Sequence, residues 1–223
     1  MNTELKKRIT TSIIMLVVLF FCIFSHIVIF VITLILISCF VFDEIIKINN
    51  KIFKKNSLFL NAVSFIYLFG IFSVAAISLY KFLGSFFIFY VLLVCICSDI
   101  GGYFVGKKIG GKKLTKISPN KTISGSLGSF SFSILPLIIF TNFDEYEYFY
   151  SMNNFLFCLE ISLFCQLGDL FISFLKRKAK IKDTGKILPG HGGLLDRIDG
   201  IVFAIPFAYI YTVGLSNYFK ILI

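Results

Sequence analysis

From Ile9 to Phe42 the chain reads "ITTSIIMLVVLFFCIFSHIVIFVITLILISCFVF", a run without a single Asp, Glu, Lys or Arg. One bilayer crossing takes about 20 residues, so the run is too long for one helix and fits two closely joined ones. The break is expected near Ser25-His26. The rest of the chain agrees: 57% of its 223 residues are hydrophobic, 15% are charged, and the mean hydropathy is +0.90. A soluble domain needs more polar surface than this.

Apolar segments recur at about 9–25, 27–46, 58–80, 84–98, 127–141, 155–174 and 200–219. The expected fold is therefore all-α: a polytopic integral membrane helical bundle of about seven transmembrane helices, and up to nine. Residues 1–97 form N-terminal transmembrane helices, and 98–223 form a second region carrying two polar loops, 99–126 and 175–199. Seven spans place the N-terminus and the loops after spans two, four and six on one side. Those regions hold every basic residue except Lys81 and Lys220, while "NFDEYEYFYSMNN" (142–154) is acidic and falls opposite. The positive-inside rule puts the basic side in the cytoplasm. The expected location is the cell inner (plasma) membrane, with the N-terminus and both polar loops cytoplasmic.

Topology alone explains lysines. It does not explain why loops 99–126 and 175–199 also carry aspartates, serines and glycines. In the first, Asp99 ends an apolar segment, where a charge is costly and tends to be functional. The plainer role is to stop the helix in the headgroups. "GGYFVGK" (101–107) imitates a phosphate-binding P-loop, but Lys108 stands where Ser or Thr should hold magnesium, so that reading fails. Gly102, Gly106 and Gly110 are four apart, which suits close helix packing or backbone approach to a phosphate. "SPNKTISGS" (118–126) offers hydroxyls at Ser118 and Thr122 and a charge at Lys121, a combination fit for a polyanion. A solvated loop would look similar.

In the second loop, Asp169, Ser173 and Lys176 or Arg177 share one helix face. An ion pair of Asp169 with Lys176 or Arg177 is the structural alternative to a carboxylate facing a membrane-edge cleft. Lys182 and Asp183 then lead into a glycine-rich stretch with His191, Gly192 and Gly193. These glycines allow tight folding and close approach to a ligand. Asp196 and Asp199 are three apart, so one helical turn presents both, with Arg197 between them. With Asp169 they form the carboxylate set expected to bind a hard divalent cation such as magnesium (Mg2+). His191 alone is a weak signal. The six cysteines lie in apolar runs and are expected to be packing residues, without metal or disulfide roles.

Residues 173–199, "SFLKRKAKIKDTGKILPGHGGLLDRID", follow S-x-x-K-R-x4-K-D-x-G-x3-P-x-H-G-G-x2-D-R-x-D. This long pattern resembles the signature of the phosphatidate cytidylyltransferase (CDP-diacylglycerol synthase) family. The likeness extends to Gly168-Asp169, "SPNKT" and "SDIGGYFVGKKIG", and so covers about 98–205. Ile123 and Ser124 depart from it, standing where relatives carry an aromatic residue and often an acid. The resemblance implies the reaction CTP + phosphatidate → CDP-diacylglycerol + pyrophosphate, a nucleotidyl transfer at the bilayer surface. It assigns catalysis to Asp169, Lys176, Arg177, Asp196 and Asp199. Substrate contacts fall to Asp99, Ser118, Lys121, Thr122, Ser173, Lys182, Asp183, His191, Gly192, Gly193 and Arg197. Metal ligation falls to Asp169, Asp196 and Asp199, with room for a second metal ion and for a homodimer. No nucleic-acid partner is expected. A secondary transporter, a CTP-using polyprenol kinase and a CDP-alcohol phosphotransferase are the rivals. The first lacks midplane charges and an internal repeat, and the last lacks its D-G-x2-A-R start.

Overall fold

The computed structural model describes residues 3–53, 56–140, 152–185, 187–188 and 192–221. The acidic stretch 142–148 and His191 lie outside the described residues. The protein is an all-α polytopic membrane protein. Its helices are α1 (Thr3–Phe24), α2 (Ile27–Phe53), α3 (Ser57–Phe65), a π-helical stretch (Ile66–Phe72), α4 (Ser73–Ile109), α5 (Ile123–Ser133), α6 (Leu135–Phe140), α7 (Met152–Lys178), α8 (Leu195–Ile198) and α9 (Ile201–Ile221). Among the described residues, four helical stretches are long and apolar enough to cross a membrane: 27–53, 57–109, 123–140 and 153–178. Shorter apolar helices occupy Ile14–Phe24 and Ile201–Val213.

Helices occupy most of the described residues of the seven apolar segments, with Ser25, Ile134 and Gly200 outside them, and the break near Ser25-His26 is where α1 gives way to α2. The 57–109 stretch would measure about 80 Å as one straight helix, against a hydrocarbon core of about 30 Å. Gly84 resolves the mismatch. Its φ of 85° and ψ of 173° interrupt the helix at the point where the sequence separates two spans. Polarity is arranged inside out, as lipid requires: Leu58 is 82% exposed and Phe59 72%, while Ser38, Ser98, Ser133 and Ser162 are buried.

The chain divides into two units. One comprises Met1–Ile88 with Phe174–Asp199, the other Phe89–Ser173 with Gly200–Ile223. In the first, α2 packs on α3 and the π-helical stretch. Small polar groups pair within it: Ser38 Oγ lies 3.1 Å from Ser73 Oγ, and Asn49 Nδ2 donates to Asn61 Oδ1 at 3.0 Å. In hydrocarbon such groups must find partners inside the protein. In the second unit, Ser98 and Ser162 join α4 to α7 at 2.8 Å, and the Tyr90 hydroxyl lies 2.9 Å from Cys158 Sγ.

The glycines of α4 serve packing. A Cβ at Gly106 would stand 3.0 Å from Thr122 Oγ1 and 3.2 Å from Gly125 Cα, and one at Gly125 would stand 2.8 Å from the Gly102 carbonyl. Helices α4 and α5 therefore cross on a small-residue seam. Gly110 and Gly111, at φ 65° and 103°, end α4 in a conformation that disfavours side chains. Helix α4 thus runs through 99–109 of the polar loop expected from Asp99, and the irregular part is 110–122.

Candidate active site

Within the second unit, Asp99 on α4, Lys121 in the 110–122 loop and Asp169 on α7 lie within electrostatic range of one another. Lys121 Nζ forms an ion pair with Asp169 Oδ2. Ser173, one turn on, donates to Asp169 Oδ1 at 3.2 Å. Cys165 Sγ lies 3.9 Å from Asp99 Oδ1. The loop that delivers Lys121 is held by backbone bonds: Leu114 N to Lys121 O at 2.9 Å, Lys121 N to Ser118 O at 3.0 Å, and Ile123 N to Lys112 O at 3.0 Å. Ser118 takes part through its amide, which donates to Thr115 Oγ1 at 3.3 Å. Thr122 is the N-cap of α5, its hydroxyl accepting the Gly125 amide at 3.0 Å.

Within the first unit, the end of α7 and the glycine-rich segment close on themselves. Lys176 Nζ lies 2.7 Å from Asp196 Oδ1, and both side chains are largely buried. Asp196 Oδ2 accepts the Thr184 amide at 2.8 Å and the Gly193 amide at 3.1 Å, with the Thr184 hydroxyl also at 3.1 Å. Burial raises the Asp196 carboxyl, but the Lys176 hydrogen bond and charge and the two amides outweigh it. The net effect holds the group below its ordinary 3.8. Lys176 is thus the partner of Asp196, and the ion pair of Asp169 goes to Lys121. Gly192 has φ 84°, and a Cβ there would meet Asp196 and Asp183 at 3.1 and 3.3 Å. Arg177, Lys182, Asp183 and Arg197 are exposed, and Asp199 sits in the turn after α8.

A further carboxylate enters this cluster from a helix to which sequence reading gave no site. Glu44 of α2 is 1% exposed. Its Oε1 accepts the Leu194 amide at 2.9 Å, and its Oε2 accepts the Leu195 amide at 2.9 Å and the Thr184 hydroxyl at 2.7 Å. The sequence carried a signal: Glu44 is an acid inside the apolar segment 27–46. The rule that singled out Asp99 and Asp169 applies to it equally. Two signature glycines are explained by it. A Cβ at Gly185 would collide with Glu44 Oε1, and one at Gly193 would collide with the Thr184 hydroxyl and stand 2.6 Å from Glu44 Oε2. The glycines were expected to allow tight folding and close approach of a ligand; at 185 and 193 the backbone packs tightly against Glu44 and Thr184.

Of the metal set expected from the sequence, Asp169 belongs to the second unit, and Asp196 and Asp199 belong to the first. Among the described residues no group of three His, Cys, Asp or Glu side chains is placed to hold a metal ion. Asp196 and Asp169 each have both oxygens engaged, Asp196 by four protein donor contacts and Asp169 by two. Asp169, with Asp99 in electrostatic range, offers the one or two carboxylates that magnesium ordinarily takes from a protein.

The model of the family described as "Cytidylyltransferase family" matches residues 50–215. The chain belongs to this family. The match spans both clusters and begins just downstream of Glu44. Similar proteins include the phosphatidate cytidylyltransferase of Bacillus subtilis (strain 168), 45% identical over 129 residues, covering 56% of this chain and 47% of that protein. That of Helicobacter pylori (strain ATCC 700392 / 26695) is 41% identical over 142 residues, covering 63% of this chain and 49% of that one. That of Staphylococcus aureus (strain COL) is 44% identical over 128 residues, covering 55% and 47%. The chain thus spans about half the length of the curated relatives it matches. Membership in the cytidylyltransferase family argues against the transporter reading.

Proposed function

We propose that this chain catalyses cytidylyl transfer from CTP to phosphatidate, releasing pyrophosphate and leaving CDP-diacylglycerol in the membrane. The observation that carries this reading is the family match across 50–215, joined to relatives that are themselves phosphatidate cytidylyltransferases. The chemistry is consistent. An oxygen of the lipid phosphate, already ionised, attacks the α-phosphorus of CTP; the bond to the bridging oxygen of the β-phosphate breaks, and pyrophosphate departs with the electron pair. No activated side-chain nucleophile is needed, so the protein contributes positioning and charge neutralisation.

In this reading Lys121 exchanges its partner Asp169 for a substrate phosphate, and Ser173 holds the Asp169 carboxylate in place. Exposed Arg177 and Lys182 draw the anions to the surface. Magnesium would be held by Asp169 with Asp99, and when bound it would neutralise charge on the phosphates. Asp196 is assigned to the architecture of the glycine-rich segment. The basic loops face the cytoplasm, the N-terminus with them, in the cell inner membrane.

The test is purified full-length chain with α-labelled CTP, phosphatidate and Mg2+. Label entering the lipid fraction with release of pyrophosphate is expected. Release of CDP would indicate a kinase, and label remaining entirely in the aqueous phase would overturn the proposal.

A further inference from the structure

We propose that Glu44 is a positioning residue: from helix α2 it fixes the shape of the glycine-rich segment 184–195, although that segment lies far away in the chain. The inference rests on the cytidylyl-transfer reading for its catalytic consequence, but not for its geometry.

Four observations carry it. Glu44 is buried in a helix otherwise apolar enough to cross the membrane. A carboxylate in that setting is costly unless its oxygens are satisfied. Satisfaction comes from one place: the amides of Leu194 and Leu195 and the hydroxyl of Thr184. Leu194 and Leu195 begin the single turn of α8, whose first amides have no helical acceptor, so Glu44 supplies what that turn lacks. Finally, the backbone wraps so closely on the carboxylate that side chains at Gly185 and Gly193 would strike it.

Outside α8 the described residues of the segment form no helix, and one bridge joins Leu188 to Gly192. Asp196, the residue just after the segment, ties Thr184 to Gly193. Glu44 ties both ends of the same segment to α2. Removing it leaves two amides without acceptors and returns glycine-rich backbone to a wide ensemble. Asp183, Arg197 and Asp199 flank this segment, so their placement depends on Glu44 although its carboxylate is spent on protein donors.

Full-length wild type, Glu44→Ala, Glu44→Gln and Thr184→Val, in lipid-supplemented detergent, are compared in two measurements. In amide hydrogen exchange, Glu44→Ala is expected to speed exchange within 182–197 about 10-fold or more while leaving 89–109 unchanged. In label transfer from CTP to phosphatidate, its kcat/KM per folded protein falls about 30-fold or more. Glu44→Gln keeps one acceptor and recovers part of both losses. Thr184→Val, which deletes one of the three donors, gives a smaller loss of the same kind. Two results overturn the proposal: unchanged exchange within 182–197 in Glu44→Ala, or wild-type kcat/KM per folded molecule. Should Glu44→Ala fail to fold, Glu44→Gln and Thr184→Val decide by the same criteria. Wild type that transfers no label defeats the cytidylyl-transfer reading instead, and the exchange comparison still decides whether Glu44 holds the segment.

Discussion

The two ion pairs are built from the same residue types and do different work. Lys176 and Asp196 have side chains 14% and 9% exposed, and Asp196 also accepts two amides. Lys121 and Asp169 are 27% and 29% exposed, and a single Ser173 hydroxyl assists. A closed pair whose hydrogen-bonding capacity is filled holds backbone in place. An open pair keeps lone pairs and a cation available for exchange with a ligand. Sequence spacing does not distinguish them, because each joins a residue of α7 to a residue in one of the polar stretches read from the sequence.

The contrast is broken most sharply by neutralising one acid of each pair. Asp169→Asn is expected to lower label transfer about 100-fold or more, since a carboxylate serving charge neutralisation is lost. Its thermal unfolding in detergent stays near wild type, because a part-exposed pair contributes about 0–1 kcal/mol. A fall in activity that merely tracked unfolding would remove the distinction between the clusters.

Asp196→Asn should do the reverse. It leaves Lys176 largely buried without its counter-charge, a loss of about 3 kcal/mol, and activity falls in step with the folded fraction. The pH dependence sharpens this. The folded-state carboxyl lies below the ordinary 3.8, so its stabilising contribution is complete above that value and disappears as pH falls through the lower folded one. Wild type is expected to lose stability from this source only below about pH 4, and Asp196→Asn should lack that limb of the unfolding profile. Equal acid sensitivity of the two proteins would show that the pair is not the buckle inferred from its geometry.

The smallest expected effect concerns Thr122. As the N-cap of α5, its replacement by Ala costs about 1 kcal/mol, and Ser restores most of it. Faster amide exchange at the start of α5, around Gly125, is the measurement. A Thr122→Ala variant with unaltered exchange but impaired CTP use would move the residue from the scaffold to the substrate.

How much was legible beforehand differs between these places. The break at Ser25-His26 and the separation at Gly84 were readable because bilayer thickness limits helix length and glycine tolerates positive φ. Ser173 beside Asp169 was readable from helical periodicity. The Lys176–Asp196 pairing was not, since Asp169 and Asp196 are equally plausible partners along the chain. Glu44 lies farther still from its donors, and no local rule connects an acid in α2 with amides at 194 and 195.

By itself the sequence determined that the chain is helical and membrane-spanning, which loops carry its charge, and which family motif it bears. Those follow from hydropathy, periodicity and residue order, all of them local. Tertiary structure alone decided which carboxylates are filled and which remain open, and why Gly185 and Gly193 bear no side chain. The physical reason is that buried polar groups must be satisfied by whatever the fold brings near. For Glu44 and Asp196 those donors are backbone amides, which every residue carries and no sequence pattern marks.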